Sequence, residues 1–518
     1  MLNKLFKPIS TGGASALIAF TSLLSYAAGL IRDRTIAVHF GTTSATDLYN
    51  ASFLIPDTLF NLFIAGALTA SFMPIFASYM QKDKEEAQVL ANTVLTGASI
   101  LTSILIVFAF IFMERLIPLI FPEVGLAGQQ DIIRMTRLML PSAFLFSISN
   151  TLGNILMTYR HFMSFSLSPV FYNLGIIAGI LFFNEKLGIY SAAIGVLIGG
   201  VLHATIRIID TLYTDYKYRP QLKFRHPGFK KTIKLMGPKA ISLIAWQVNL
   251  YVFAIVGMKL TEGGYAAFNF ARNIQGFAVT LFGVAFATAV FPSLNSSYGK
   301  GDINTYTADN QVTTQRILFF TIPVAVGLTL MAKPFTELIL GGGMFDESSV
   351  AITSVLLVFF AVSIPFESLT QLFTRSFYAM HDTMTPTLIN IFAFLLMGLI
   401  TFYVAPRYGI NWFSIGYSAG YAMYCICLIF ALRKHLKKFQ WKTFIKSISK
   451  VLFASIIMGL FIFLTRDLHT VIAMPAKIFT CVEIIVAAAI YFAITFAIKS
   501  PEFSSVRVVL KRIWPKNI

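Results

Sequence analysis

The stretch QVLANTVLTGASILTSILIVFAFIFM, residues 88–113, contains no charged side chain. An α-helix needs about 20 apolar residues to cross the hydrocarbon core of a bilayer, so this run predicts a transmembrane helix. The whole chain of 518 residues has a similar character, with 56% hydrophobic and 12% charged residues. A water-soluble protein of this length has too little polar material to cover so much apolar surface. The composition therefore predicts an all-α polytopic membrane protein.

Apolar runs of this kind recur along the chain and predict about 14 transmembrane helices. The first run follows Lys4 and Lys7, as in a signal peptide. Its length and the many later runs predict an uncleaved first span instead. The predicted spans lie near 12–31, 49–79, 88–113, 133–158, 164–183, 189–213, 232–258, 265–294, 311–332, 350–380, 384–404, 411–432, 447–465 and 472–498.

The net charge of +18 lies mostly in the short loops between the apolar runs. The loops at 214–231 and 433–446 are the most basic. Lys and Arg accumulate in the cytoplasmic loops of membrane proteins, so the distribution predicts that these loops and both termini are cytoplasmic. The same distribution argues against nucleic acid as a partner.

An internal repeat divides the chain. FIAGALTASFMP at 63–74 aligns with LFGVAFATAVFP at 281–292, and almost the same shift aligns Pro169 and Asn173 with Pro386 and Asn390. Two distant segments that align with nearly the same shift predict two pseudo-symmetric lobes of six helices each. Many transporters rock two such lobes around a central binding site. An ancient duplication without a present mechanism is the alternative. We predict an N-lobe at 1–225, a C-lobe at 226–438, and two further helices with a basic cytoplasmic tail at 439–518.

Charged and polar side chains interrupt the apolar runs in three clusters. Each ionisable group inside a bilayer costs about 2.5–3.5 kcal/mol on insertion scales, so it needs a partner or a water-filled cavity. We predict that the clusters line a cavity and contact the substrate. A wet helix end for the first cluster and a packed structural network for the third are the alternatives. The candidates are Arg32, Asp33, Arg34, Asp47, Asp57 and Asn61, then Arg272 and Asn273, and finally Glu367, Gln371 and Arg375.

Motifs of several enzyme classes are missing from the sequence. It contains no G-x-x-x-x-G-K-[ST] phosphate loop, no H-E-x-x-H and no G-x-S-x-G. Its three Cys lie inside apolar runs, where packing is the expected role. We therefore expect a protein that is not an enzyme and has no metal or cofactor, with coupling to the membrane potential or to a monovalent cation left open.

Several segments resemble the MurJ/MviN family of lipid II flippases. SLLSYAAGLIRDRTIAVHFG at 22–41, IPDTLFNLFIAGALTASFMPIF at 55–76, GGGMFD at 341–346 and RSFYAMHDTMTP at 375–386 are similar to family segments in the same order. The resemblance implies a two-lobed exporter fold in the bacterial cytoplasmic (inner) membrane. It implies alternating access that moves an undecaprenyl-pyrophosphate-linked peptidoglycan precursor to the outer leaflet, with other cell-wall synthesis proteins as possible partners. It also implies that the last two helices form a groove for the lipid tail.

The match to the family's charged residues is partial. Arg32 falls on the family's G-x-x-R-D arginine, but Tyr26 replaces an earlier first-span arginine. Phe60 and Asn61 replace a second-span arginine pair, and Arg272–Asn273 stands where the family has Asp-Arg. The seventh, eleventh and twelfth predicted spans contain no Asp or Glu, so the sodium site proposed for some members is not expected.

The resemblance and the cavity residues together predict a mechanism. Arg32, Arg272 and Arg375 would line one central wet space and bind a pyrophosphate, while Asp33, Asp47 and Glu367 would hold the guanidinium groups when the space is empty. The alternatives within the superfamily are a flippase for another lipid-linked polysaccharide and a cation-coupled drug exporter. A membrane glycosyltransferase or ligase, or a scaffold without transport activity, represents a different class.

Overall fold

The computed structural model describes residues 11–61, 66–468, 472 and 474–503. In chain order, its helices are α1 (Thr11–Phe40), α2 (Ser44–Ser52), α3 (Leu54–Phe60), α4 (Gly66–Lys82), α5 (Lys84–Ile120), α6 (Leu126–Thr158), α7 (Met163–Leu187), α8 (Tyr190–Thr211), α9 (Pro227–Leu260) and α10 (Gly264–Ala278). A π-helical turn (Val279–Val284) leads into α11 (Ala285–Gly299), and the chain continues with α12 (Ile303–Leu330), α13 (Ala332–Leu340), α14 (Glu347–Ala379), α15 (Met384–Tyr403), α16 (Ala405–Tyr408), α17 (Asn411–Leu432), α18 (Trp441–Thr465) and α19 (Ala476–Ala497).

The all-helical fold is confirmed. Within the described part of the chain, 12 helices are long and apolar enough to cross a membrane. The first predicted span coincides with α1, and the second with α2, α3 and α4 together. The predicted count of about 14 helices is consistent with this arrangement.

The second predicted span is broken into short helices, and Pro56 accounts for part of the break. Proline has no backbone N–H, so the carbonyl group of Ser52, four residues earlier, loses its helical donor. The Thr136 hydroxyl donates to this carbonyl oxygen at 3.2 Å. A side chain of α6 thus replaces the missing helical bond.

The chain forms two compact units, Met1–Ala266 with Gly343–Phe345, and Ala267–Gly342 with Asp346–Ile518. In the first unit, α7 and α8 cross at glycines. A β-carbon on Gly175 would lie 2.3 Å from the Cα of Gly199, so only glycine permits this approach. In the second unit, α17 packs on α14 and α15. The predicted division into an N-lobe ending at residue 225 and a C-lobe ending at residue 438 rests on the sequence repeat and stays a prediction.

An equivalent contact recurs in each unit in the register of the sequence repeat. In the first unit the backbone N–H of Lys223 donates to the Thr93 hydroxyl at 3.3 Å. In the second, the N–H of Gln440 donates to the side-chain oxygen of Gln311 at 3.0 Å. The shifts that align the repeated segments also place Thr93 on Gln311 and Lys223 on Gln440. Both predicted cytoplasmic linkers are therefore attached in the same way to a helix of their own lobe.

Candidate substrate-binding sites

Arg32 lies on α1 and is held by two different acceptors. Its Nε and Nη2 donate to Asp33 Oδ1 at 3.0 and 2.6 Å. Its Nη1 donates to Asn173 Oδ1 at 3.1 Å, and Asn173 is itself fixed by a bond from its Nδ2 to the carbonyl oxygen of Pro169. The Arg32 side chain is 24% exposed, whereas that of Asp33 is 7% exposed. The guanidinium group is therefore fully paired on a side chain that is partly exposed.

Three further candidates of the first cluster, Arg34, Asp57 and Asn61, are half-buried. Arg34 follows on α1, and Asp57 stands in the first turn of α3. The backbone N–H of Asn61 bonds to the carbonyl oxygen of Asp57, so the two residues are one helical turn apart, as the spacing predicts. Their contact with substrate stays a prediction.

Asp47 has backbone partners in place of the guanidinium group that the sequence analysis assigned to it. Its two carboxylate oxygens accept N–H bonds from Gly263 at 2.8 Å and from Ala266 at 2.7 Å. The first backbone N–H groups of a helix have no partner within the helix, and a carboxylate there satisfies them and complements the helix dipole. In this structure Asp47 therefore caps the start of α10.

We predict that this cap makes stability depend on pH. Burial raises the pKa of Asp47, which precedes the second predicted span, to about 7, although the N–H bonds from Ala266 and Gly263 oppose the rise. An unfolded Asp has a pKa near about 3.9. The folded protein thus binds more protons between these values, and the Asp47 contribution to stability falls as pH rises through that window.

The measurement is the melting temperature of the purified protein in detergent at several pH values from about 5 to about 8. Wild type should lose melting temperature relative to Asp47→Asn as pH rises, because Asn does not titrate. Parallel curves for the two proteins would show that Asp47 does not titrate in this range.

In the second unit, Glu367 on α14 is bonded to neutral side chains. Its Oε2 accepts from Gln275 Nε2 at 2.8 Å and from the Tyr417 hydroxyl at 3.0 Å. Arg272, half-buried on α10 beside Asn273, acts on this carboxylate electrostatically. Glu367 therefore accepts hydrogen bonds from Gln275 and Tyr417 in this structure, and the predicted hold on a guanidinium group stays a prediction.

Arg375 faces a cavity of about 360 Å³ in the second unit. Its Nη1 donates to the backbone oxygen of Gln371 at 2.9 Å and to the side-chain oxygen of the same residue at 3.2 Å. The other polar side chains of the wall are Thr370, Thr374, Tyr378, Asn390, Tyr421 and Tyr424. The predicted spacing along α14 thus brings Gln371 and Arg375 together.

A second cavity, of about 370 Å³, lies beside α18 and α19. Its wall is almost entirely apolar and includes Phe282, Phe320, Met458, Ala488 and Phe492. The Tyr491 hydroxyl donates to the carbonyl oxygen of Phe319 at 2.6 Å and fixes α19 against α12. This apolar groove is of the kind that accommodates a hydrocarbon chain.

The sequence profile of the family described as "Lipid II flippase MurJ" matches residues 36–480. The chain belongs to this family. A relative from Rickettsia prowazekii, named probable lipid II flippase MurJ, is 26% identical over 93% of this chain and 97% of its own length. Membership makes the protein a transporter and a multi-pass bacterial membrane protein.

Solved structures support the fold. A lipid II flippase MurJ in an inward closed conformation has a TM-score of 0.80 at 24% identity, over 93% of this chain and 98% of that one. An inward-facing MATE-family multidrug transporter of the MOP superfamily has a TM-score of 0.68 at 15% identity, over 79% and 94% of the two chains. These structures confirm the fold, and the family match over residues 36–480 confirms the resemblance to the MurJ/MviN family.

The sequence analysis missed a buried polar network in the first unit. Arg207 donates from Nε to the Ser168 hydroxyl at 2.9 Å and from Nη1 to the Ser149 carbonyl oxygen at 2.8 Å. Asp210 lies 2.8 Å from His161 Nδ1. Residues 203, 207 and 210 share one helix face, a spacing that could have revealed the network. Because protein groups satisfy Arg207, the network supports structure and not substrate binding.

Proposed function

We propose that the protein moves lipid II, the undecaprenyl-pyrophosphate-linked peptidoglycan precursor, from the inner to the outer leaflet by alternating access. The observation that carries the proposal is the partly exposed Arg32 side chain, whose guanidinium group is held by Asp33 and Asn173 within an apolar helical protein. The curated relatives that carry the lipid II flippase name support the choice of substrate.

The pyrophosphate of the head group is the proposed partner of Arg32. A guanidinium group presents a planar fork that matches phosphate oxygens and forms charge-assisted hydrogen bonds with them. Asp33 holds the fork in the absence of substrate, and the pyrophosphate displaces the carboxylate. This exchange keeps the cation paired throughout the cycle and avoids the cost of an uncompensated charge.

The test is replacement of the native flippase. Cells depleted of their own lipid II flippase should grow when they produce this chain, and purified protein in vesicles should make labelled lipid II accessible from the opposite leaflet. Vesicles loaded with a lipid-linked polysaccharide of another type provide the comparison. Transport of that lipid without transport of lipid II would contradict the proposed substrate. We propose that the membrane potential or a monovalent cation drives transport, and dissipating each gradient in turn tests this.

The polyprenyl tail is the proposed occupant of the apolar groove beside α18 and α19. We predict that Ala488→Trp reduces lipid II transport several-fold, because Ala488 lines the groove and an indole ring would occupy it. Flipping in vesicles measures the effect. Ala489→Trp is the matched control, since Ala489 is the next residue on α19, is also exposed and does not line the groove. Equal activity of the two variants would place the tail elsewhere.

Both termini and the loops at 214–231 and 433–446 are proposed to face the cytoplasm, on the basis of their positive charge. We predict that single cysteines at positions 223 and 437 resist an impermeant thiol reagent in intact cells and react after permeabilisation. The background must have Cys425, Cys427 and Cys481 replaced by Ser, because Cys481 is exposed. Strong labelling of either position in intact cells would show that its loop faces outward and would contradict the proposed topology.

A further inference from the structure

We propose that the cavity beside Arg375 is a second anion subsite, which binds a sugar ring carrying a phosphate or carboxylate group. Its natural ligand, the saccharide part of a lipid-linked head group, rests on the proposed function. The subsite itself rests on three features of the second unit: an uncompensated cation, a repeat-related asparagine and the composition of the wall.

The charge of Arg375 has no acidic partner among the described residues. Its hydrogen bonds all go to Gln371 through Nη1, which leaves Nε and Nη2 without an acceptor in the described chain. No carboxylate acts on it electrostatically there. Glu367, two turns earlier on the same helix, is engaged by Gln275 and Tyr417. A cation within a membrane-spanning helix needs a counter-charge, so an incoming anion is the expected partner.

The repeat supplies the comparison. Asn390 corresponds to Asn173 in the alignment of the two halves. In the first unit Asn173 accepts from Arg32, whose charge Asp33 neutralises. In the second unit Asn390 lines the cavity that Arg375 faces, and no acidic residue of the described chain lines that cavity. The equivalent asparagines thus differ in their relation to an arginine: Asn173 is bonded to Arg32, whereas Asn390 lines the same cavity as Arg375. Arg375 has no carboxylate partner among the described residues, so it is available to a ligand.

The wall of the cavity is suited to a sugar. A volume of about 360 Å³ lies in the range of small-molecule sites. Phe291, Phe394 and Tyr421 offer apolar ring surfaces, while Thr370 and Asn390 offer hydrogen-bonding groups. A pyranose ring has both apolar C–H faces and hydroxyl groups, and a guanidinium fork binds a phosphate or carboxylate on it. A bare anion would leave most of this wall unused.

The first arm of the test measures binding of soluble probes to the purified full-length protein by calorimetry. N-acetylglucosamine 1-phosphate should bind at least tenfold more tightly than N-acetylglucosamine, which lacks the charge, and than inorganic phosphate, which lacks the ring. Equal affinity for the phosphosugar and the neutral sugar would overturn the anion subsite. Equal affinity for the phosphosugar and inorganic phosphate would overturn the role of the sugar ring.

The second arm uses variants. Arg375→Gln should weaken phosphosugar binding at least tenfold, Arg375→Lys should weaken it less, and Asn390→Ala provides a second substitution in the wall. Arg137→Gln is the control, because Arg137 lies in the other unit and is paired with Glu114. Melting temperatures verify folding. Binding by folded Arg375→Gln and Asn390→Ala within twofold of wild type would refute the subsite.

The third arm distinguishes a saccharide from a phospholipid head group as the source of the anion. It also tests the subsite separately from the proposed transport of lipid II. Short-chain lipid II should displace the phosphosugar, whereas phosphatidylglycerol should not, and the opposite pattern would overturn the assignment to a saccharide. Lipid II transport by the same wild-type preparation is measured separately. Transport without Arg375-dependent binding would refute the subsite alone, and binding without transport would refute the proposed function alone.

Discussion

Arg32→Ala is expected to abolish complementation of a flippase-depleted strain while the amount of protein in the membrane stays unchanged. The side chain donates three hydrogen bonds to Asp33 and Asn173 and is partly exposed. Removing it deletes the proposed pyrophosphate contact and the ion pair between Arg32 and Asp33. Because an interaction with a charged phosphate is strong, we expect a loss of transport of at least tenfold, measured by growth and by flipping in vesicles.

Two substitutions control for structural damage in that experiment. Arg32→Lys keeps the charge but lacks the fork, so it should restore transport only partly. Asp33→Asn keeps the size of the acidic partner and frees the guanidinium group, so Arg32 should retain its bond to Asn173. If Arg32→Ala complements as well as wild type, Arg32 is structural and the head group must be bound elsewhere.

The sequence predicted the features that depend on local composition. Apolar runs of span length located the helices, because a bilayer requires about 20 consecutive apolar residues wherever a helix crosses it. The Arg32–Asp33 pair was also predictable, since the residues are adjacent. The contact with Asn173 was not, because the two side chains are 141 positions apart and are brought together only by the packing of α1 on α7.

Roles that depend on long-range geometry were less accessible. In the sequence, a charged residue within an apolar run cannot be distinguished by whether protein groups pair with it or it faces a cavity. Arg207 is satisfied by serine and carbonyl oxygens, whereas Arg375 faces a cavity. Asp47 was assigned to a guanidinium group, yet its partners are backbone N–H groups 216 and 219 positions further along the chain, which no residue-type pattern encodes. The apolar groove was expected from the resemblance alone, since apolar residues on two helices are typical of any span.

The segment that Asp47 caps leads to the prediction with the largest effect on stability. Gly263 has a φ of +71°, and a β-carbon there would lie 1.9 Å from the carbonyl oxygen of Thr42. A backbone atom cannot move aside as a flexible side chain does. Gly263→Ala therefore combines left-handed strain of about 1–2 kcal/mol with a backbone clash, and the clash would displace the N–H group that is bonded to Asp47. We expect a loss of more than about 3 kcal/mol, seen as a large drop in melting temperature or as absence of folded protein.

Two other glycines separate these contributions. Gly188 has a φ of +53° with open space where a β-carbon would be added, so Gly188→Ala should show the strain alone. Gly276 lies in α10 with open space around it and no positive φ, so Gly276→Ala should be neutral or slightly stabilising. The melting temperature should be highest for Gly276→Ala, lower for Gly188→Ala and lowest for Gly263→Ala. If Gly263→Ala and Gly188→Ala have the same melting temperature, the added β-carbon does not clash with the carbonyl oxygen of Thr42. The segment that Asp47 caps can then rearrange to accommodate alanine.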